Sequence, residues 1–237
     1  MKRIKTIFCV MTVMMSVHFS HAQSVDEIIG RYVDSLGGDT QLQALKTVRM
    51  EGAMEMMGTE ISLVITKSHL IGYRVDISAG GQDGYQIYTP TKGWNYLPFQ
   101  GQTTPVAMVD EQLKTGLSGI DIQGNLYKYK EKGNLVVLNG KETLDGKECY
   151  KVKATLKSGK LMTYFIDGKS FHIVKVSSMV NVQGTEKESA TTFSNYKKTP
   201  EGFIFPFTSV SERGEITYSK IEANKPVDEK IFLVNGQ

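Results

Sequence analysis

The sequence has few of the residues on which disulfides and metal sites depend. It holds two cysteines and four histidines among 237 residues, and three of these six lie within the first 22 positions. The others are Cys149, His69 and His172. One cysteine cannot form an internal disulfide, and two histidines with one cysteine are a small set for zinc. We therefore predict no metal centre and no cofactor.

Excess charge of one sign is also nearly absent, since the formal net charge is only +3. The excess comes from the first five residues, where Lys2, Arg3 and Lys5 have no acidic neighbour. Beyond them, the 25 acidic residues are matched by an equal number of basic residues. A neutral chain lacks the basic surface that binds nucleic acid or anionic membrane, so both classes of partner are excluded.

Long apolar runs are missing as well, and the one at the N-terminus is too short to span a bilayer. Ile7–Val17 follows the basic start and precedes Ser20-His21-Ala22, with small residues at the −3 and −1 positions of a cleavage site. This order is typical of a secretory signal peptide. We predict a signal peptide over residues 1–22, cleaved after Ala22, and a single exported domain over residues 23–237.

One long helix is predicted at the start of this domain. Ser24 and Glu27 fit a capping box, and Gly37-Gly38 provides the positive φ angles that end a helix. Apolar residues between them follow a helical stripe: Val25, Ile28, Ile29, Tyr32, Val33 and Leu36. A short second helical turn is expected over 41–45.

From Thr47 onward the apolar period changes to two, which predicts about eleven short antiparallel strands joined by hairpin turns. Such a meander curls into an incomplete barrel. Between Phe99 and Gly124 the alternation is lost. There we expect Pro105 to open a helix through Val109, Leu113 and Leu117, which would cover the concave face of the sheet.

Several short motifs resemble catalytic ones but fail in their context. Gly168-Lys169-Ser170 matches the end of a P-loop, yet it joins two strands and lacks the first glycine. Ser194 and Lys197 match the S-x-x-K pattern without its partner motifs. Glu186 and Glu188 share a strand face at a solvated hairpin end. We predict no catalytic residues and no enzyme activity.

A cluster of aromatic residues remains as a candidate site. Trp94, the only tryptophan, and Tyr96 lie in one strand, with Tyr73 and Tyr85 on its neighbours. Aromatic clusters are more often plain core, but a curled sheet must fill its concave side with its own helices or with an apolar ligand. We assign these four residues to a ligand cavity and leave Leu63 without a role.

Several motifs resemble the periplasmic lipoprotein-carrier superfamily, which includes LolA/LolB-like and outer membrane lipoprotein-sorting proteins. The resemblance is strongest to Bacteroidota-type members and covers most of residues 24–233. It rests on short segments: Asp26-Glu27-Ile28-Ile29, Leu36-Gly37-Gly38, Trp94-Asn95-Tyr96-Leu97-Pro98-Phe99, Cys149-Tyr150-Lys151-Val152, Tyr164-Phe165-Ile166-Asp167, Phe193-Ser194-Asn195-Tyr196 and Asn224-Lys225-Pro226-Val227-Asp228.

The resemblance implies an incomplete antiparallel β-barrel with helices that form a lid over a hydrophobic cavity. It also implies a periplasmic carrier of lipid or lipoprotein acyl chains, acting as a monomer, with donor and acceptor proteins in the two membranes as candidate partners. The alternative is a ligand-binding or partner-binding module on the same scaffold, such as an envelope sensor, that transports nothing. No residue role is transferred from the family.

Overall fold

The computed structural model of the protein describes residues 23–56, 58–182 and 184–234. The predicted signal peptide lies outside these residues. The described chain contains three α-helices: Val25–Ser35 (α1), Asp39–Ala44 (α2) and Asp110–Leu117 (α3). Its strands are Thr47–Met56 (β1), Thr59–Ser68 (β2), Gly72–Ala79 (β3), Gln82–Tyr88 (β4), Gly93–Tyr96 (β5), Val106–Ala107 (β6), Leu135–Leu144 (β7), Lys147–Thr155 (β8), Leu161–Asp167 (β9), Ile173–Val182 (β10), Thr185–Lys198 (β11), Ile204–Ser211 (β12) and Gly214–Ala223 (β13).

All thirteen of these strands form one antiparallel sheet that does not close on itself. Its order is β6-β5-β4-β3-β2-β1-β13-β12-β11-β10-β9-β8-β7, so β6 and β7 are the open edges. Neighbours in the sheet are neighbours in the chain, except that β1 pairs with β13. The predicted incomplete barrel is confirmed. The strand count exceeds eleven because β1 and the two-residue β6 had not been assigned as separate runs.

Local signals set the bounds of α1 and α2. The Ser24 hydroxyl accepts a hydrogen bond from the Glu27 amide at 3.1 Å, which caps α1. After α1, Gly37 and Gly38 have φ angles of 110° and 88°, which side chains rarely permit. The helix was therefore predicted correctly, whereas α2 begins two residues before the predicted turn.

The prediction that Pro105 opens a helix is wrong. Val106 and Ala107 pair with Asn95 and Trp94 and extend the sheet by one short edge strand. Helix α3 begins only after Val109, whose amide donates to the side chain of Gln112 at 3.3 Å. Pro105 stands at the start of an edge strand, where its missing N–H removes no hydrogen bond from the ladder.

The helices all lie on one face of the sheet, which we call the inner face. Ile28 of α1 clusters with Val152 and Tyr164, and Leu45, which follows α2, clusters with Tyr218. Helix α3 approaches Tyr73 and Tyr88 through Gly116. From α3, residues 118–134 (the crossing segment) run to β7 at the opposite edge of the sheet.

The opposite, outer face is covered locally by the C-terminal residues. A 3₁₀ turn, Glu229–Phe232, places Phe232 against Ile87 and Trp94, and these three buried side chains form a separate small core. The protein therefore has apolar packing on both sides of strands β3 to β5. The helices and the crossing segment pack on one side, and the C-terminal turn packs on the other.

Candidate functional site

The inner face carries apolar side chains that the helices cover only in part. Under α1, Val152 and Ile166 are completely buried. Toward the middle of the sheet, on β1 to β3 and on β12 and β13, buried side chains such as Leu63 and Ile221 alternate along the inner face with seven apolar side chains that are only half-buried. These are Met50, Met54, Ile65, Val75, Ile77, Phe207 and Ile216. We call these seven residues the apolar band, and they leave apolar surface available to a ligand.

Helix α1 is fastened at both ends. Near its start, Asp26 accepts hydrogen bonds from the Tyr129 hydroxyl at 2.6 Å and from the Lys130 ammonium at 2.7 Å, both in the crossing segment. At its end, the carbonyl of Ser35 lies 3.3 Å from Nε2 of His172, which can donate to it. With its apolar stripe buried as well, α1 is a fixed part of the core.

Helix α3 rests on a pair of stacked tyrosines. Tyr73 and Tyr88 lie opposite each other on β3 and β4, with ring centroids 4.5 Å apart and planes inclined by 15°. A Cβ atom at Gly116 would lie 2.7 Å from the Tyr73 hydroxyl and closer still to the Tyr88 ring. Only glycine allows α3 to approach this pair so closely.

Lys67 lies beside the tyrosine pair, and the charge of a second cation, Arg213, acts on the tyrosine hydroxyls. Lys67 is opposite Tyr73 on the inner face, and its ammonium is 5.3 Å from the centroid of the Tyr73 ring. Burial lowers the pKa of Lys67. Burial also raises the pKa of Tyr73 and Tyr88, while the positive charge of Arg213, in the turn between β12 and β13, acts in the opposite direction.

Lys67, Arg213 and Gly116 were not among the residues predicted from the sequence. A signal for Lys67 was present, because it continues the alternation of Ile61, Leu63 and Ile65 along β2 and so must share their face. Arg213 and Gly116 have no comparable signal. Their positions depend on contacts between segments that are far apart in the sequence.

The structure divides the predicted cavity residues between the two faces. Tyr73 and Leu63 lie on the inner face, since they share its alternation on β3 and β2. Trp94, Tyr85 and Tyr96 lie on the outer face, where Tyr85 and Tyr96 pair across the strands with ring centroids 5.5 Å apart. Binding of a ligand by these residues stays a prediction, and the placement favours Tyr73.

A shallow groove of about 380 Å³ lies beside Tyr85 on the outer face. The guanidinium of Arg74 lies 4.3 Å from the centroid of the Tyr85 ring and donates to the carbonyl of Ile231 at 3.2 Å. It also forms a 2.7 Å ion pair with Asp76. Because Arg74 already has three partners, it links the C-terminal turn to the sheet rather than offering a free cation.

A second groove, of about 530 Å³, lies where strands β10 and β11 separate. Their pairing ends at Lys175 and Thr192, although β11 continues beside β12. The His172 ring stacks on Tyr196 with centroids 4.1 Å apart, and the Tyr196 hydroxyl donates to the carbonyl of Ile173 at 2.7 Å. These contacts hold the separated strands together and give His172 a structural role.

None of the motifs that failed as catalytic signatures forms a site in the structure. Glu186, Glu188, Ser194 and Lys197 are exposed residues of β11, and Gly168-Lys169-Ser170 lies in a turn. The Asp167 carboxylate accepts hydrogen bonds from the amides of Lys169 and Ser170, which closes the β9–β10 turn. A carboxylate at this point would repel phosphate. Cys149 is completely buried, and burial raises the pKa of its thiol, which disfavours the reactive thiolate.

His69 lies beside the crossing segment. Its Nδ1 atom is 3.6 Å from Asp121, whose other oxygen accepts a 2.5 Å hydrogen bond from Lys132. Burial lowers the pKa of His69, although the Asp121 charge opposes this effect. No group of three or more potential metal-ligating side chains is found among the described residues.

Within the same part of the chain, no helix is long and apolar enough to cross a membrane.

Comparisons with known proteins agree with this architecture. No family model matches the sequence, and no curated protein matches it. A LolA superfamily protein from Nitrosomonas europaea superimposes with a TM-score of 0.54 at 14% identity, over 90% of this chain and 99% of that one. The chain shares the fold of this LolA superfamily protein. The resemblance predicted from the sequence is confirmed at the level of fold, while the Bacteroidota type stays a prediction.

Two further structures also superimpose on this chain over most of their length. A DUF1329 family protein from Desulfovibrio piger gives a TM-score of 0.57 at 16% identity, over 89% of this chain and 98% of that one. A domain named as an outer membrane lipoprotein-sorting protein, from Vibrio parahaemolyticus, gives 0.51 at 14% identity, over 86% and 95%.

Proposed function

We propose that the protein is a periplasmic carrier that holds the acyl chains of a lipid or lipoprotein against the apolar band. The observation that carries this proposal is the band itself, whose side chains stay half-buried on the inner face. Each methylene group removed from water contributes about 0.8 kcal/mol, so a long chain laid along the band gains substantial binding energy. The printed name of the Vibrio parahaemolyticus domain supports the same class of cargo.

Helix α3 is the element that moves to admit the chain. It has eight residues, and its apolar residues Leu113 and Leu117 are only half-buried. Helix α1, in contrast, buries Ile28 completely and is fastened through Asp26 and Ser35. Displacing α3 therefore costs much less than displacing α1, and it uncovers the Tyr73 end of the inner face.

Blocking the inner face tests the proposal. Val75→Trp places a large side chain among the apolar band, and Val64→Trp places the same side chain on the outer face of the adjacent strand. Both valines are half-buried, so the two variants are matched. We expect Val75→Trp to lower the affinity for a fluorescent fatty-acyl probe at least tenfold, and Val64→Trp to leave it unchanged. Equal affinities in both variants would contradict the proposal.

Cargo is identified by native mass spectrometry and lipid extraction of protein purified from the periplasm. We expect co-purified lipid or lipoprotein. We also expect the exported chain to begin at Gln23, which tests the predicted signal peptide and the domain over residues 23–237. Protein that is reproducibly free of lipid and takes up no acyl probe would overturn the carrier function.

The alternative, a module that binds a partner protein and transports nothing, is favoured by one exposed surface. Leu135, Val137 and Leu161 lie close together on the outer face near the β7 edge, and 66%, 46% and 63% of their surfaces are exposed. A Leu135→Glu substitution distinguishes the two functions. If the protein carries acyl chains on its inner face, the substitution leaves acyl-probe binding unchanged. If the exposed surface is the functional one, the substitution abolishes formation of the complex with the partner protein.

A further inference from the structure

One lysine projects from β2 into apolar surroundings. Lys67 follows Ile61, Leu63 and Ile65 on the inner face, and it lies opposite Tyr73. None of the ion pairs found in the described residues includes Lys67. Its pKa is lowered by burial alone, with no carboxylate acting against this effect. Lys67 is half-buried, and partial removal of a cation from water without an anionic partner has a cost that a bound anion would offset.

A second cation, Arg213, lies in a turn that borders the inner face. Arg213 is exposed in the β12–β13 turn, where a Cβ atom at the neighbouring Gly214 would lie 3.0 Å from Met54 of the apolar band. Its positive charge lowers the pKa of Tyr73 and Tyr88, against the effect of burial. None of the ion pairs of the described residues includes Arg213 either. Two cations outside these ion pairs therefore adjoin the inner face, and no acidic group is among the groups acting on Lys67 or on either tyrosine.

We propose that Lys67 and Arg213, with the hydroxyls of Tyr73 and Tyr88, bind the anionic head group of an amphiphile whose acyl chain lies on the apolar band. This inference rests on the proposed function and makes it more specific, because it assigns the cargo a negatively charged carboxylate or phosphate. Lysine suits this task as a compact charge with three donors, and arginine can bind the same oxygens in a bidentate manner.

The site also accounts for the position of α3. Gly116 places the helix directly over Tyr73 and Tyr88, so the helix covers the head-group position in the closed state. An anionic head group that enters must displace α3 locally, and the contacts with Lys67 and Arg213 then offset the loss of that packing. Head-group charge is thereby coupled to opening of the inner face.

The test compares a fluorescent C16 fatty acid that has a free carboxylate with its methyl ester. The proteins are the full exported chain, Lys67→Gln, Arg213→Gln and the control Lys153→Gln. Lys153 is an exposed outer-face strand lysine, and none of the ion pairs of the described residues includes it. We expect the native protein to bind the acid about tenfold more tightly than the ester. This preference should be lost in Lys67→Gln, reduced in Arg213→Gln and unchanged in Lys153→Gln.

Three outcomes would contradict the inference in different ways. If acid and ester bind the native protein equally well, the head-group site is wrong and the carrier function stands. If neither binds, the proposed function fails and this inference fails with it. A third outcome is that inorganic phosphate displaces the acid with the same affinity with which phosphate binds the protein in the absence of acid, while the ester does not displace the acid. The site would then bind a free anion rather than an amphiphile. Circular dichroism establishes that each variant is folded. If Lys67→Gln does not fold, Arg213→Gln, which lies at an exposed turn, tests the inference in its place.

Discussion

Substituting Gly116 by alanine tests whether α3 rests on the tyrosine pair. In an exposed helix, a glycine-to-alanine change stabilises by about 1 kcal/mol, because alanine has the better helix propensity. At Gly116, however, the added methyl group would lie 2.7 Å from the Tyr73 hydroxyl and would overlap the Tyr88 ring. Overpacking of this kind costs about 1–3 kcal/mol. We therefore expect Gly116→Ala to be neutral or to destabilise by up to about 2 kcal/mol.

Helix α1 provides a matched control for this substitution. Gly30 is an exposed helical glycine, and nothing lies within 4 Å of the Cβ atom that alanine would add. Gly30→Ala should therefore stabilise by up to about 1 kcal/mol, through propensity alone. The difference between the two variants isolates the packing cost at Gly116, which we expect to be about 1–3 kcal/mol.

Urea unfolding followed by circular dichroism measures both variants against the native protein. The free energy of unfolding in water is obtained by linear extrapolation, and equal m-values show that the comparison is sound. If Gly116→Ala stabilises as much as Gly30→Ala, α3 does not contact Tyr73 and Tyr88. The mechanism of opening given above would then be refuted.

Two further predictions concern other parts of the inner and outer faces. Hydrogen bonds from Lys130 and Tyr129 lower the pKa of Asp26 below its ordinary value of 3.8. These hydrogen bonds therefore stabilise the folded protein fully above pH 3.8, and this stabilisation is lost as the pH falls through the lowered pKa of Asp26. The difference in unfolding midpoint between native protein and Asp26→Asn should therefore shrink from pH 6 to pH 3; a constant difference would contradict this. Phe232→Ala should destabilise by about 3–5 kcal/mol in urea unfolding, because Phe232 is completely buried against Trp94. Acyl-probe affinity should stay unchanged, and a loss of affinity would show that the outer face contributes to binding.

The elements that could be predicted from the sequence are those whose signals are local. Ser24, Glu27 and Gly37 mark both ends of α1 within a span of fourteen residues. Hairpin turns separate most strands, so the antiparallel meander and its open-barrel architecture follow from the sequence. Pro105 was misleading because the same residue can begin a helix or an edge strand, and pairing with distant residues decides between the two.

The candidate site was harder to predict, because closeness in sequence does not show which face a side chain occupies. Gly80 and Gly81 form a two-residue turn that sets Tyr73 opposite Tyr88, so Tyr85 must point to the other face. This register was available in the sequence, although the aromatic residues were grouped without it. The covering of the outer face by Phe232 could not be predicted from the sequence, because this contact joins segments that share no local pattern.

The pairing of β1 with β13 has a consequence for how the protein folds. Each of the other neighbouring strands is also a neighbour in the chain, so β1–β6 and β7–β13 can each form by adding one hairpin to the next. The seam between them brings Val48 opposite Ala223, and closing so long a loop has a large entropic cost. Pairings that are distant in sequence slow folding. We therefore expect two meanders to form early and the seam to limit the rate, so that both strands of the seam expose unpaired backbone to aggregation while the chain is folding.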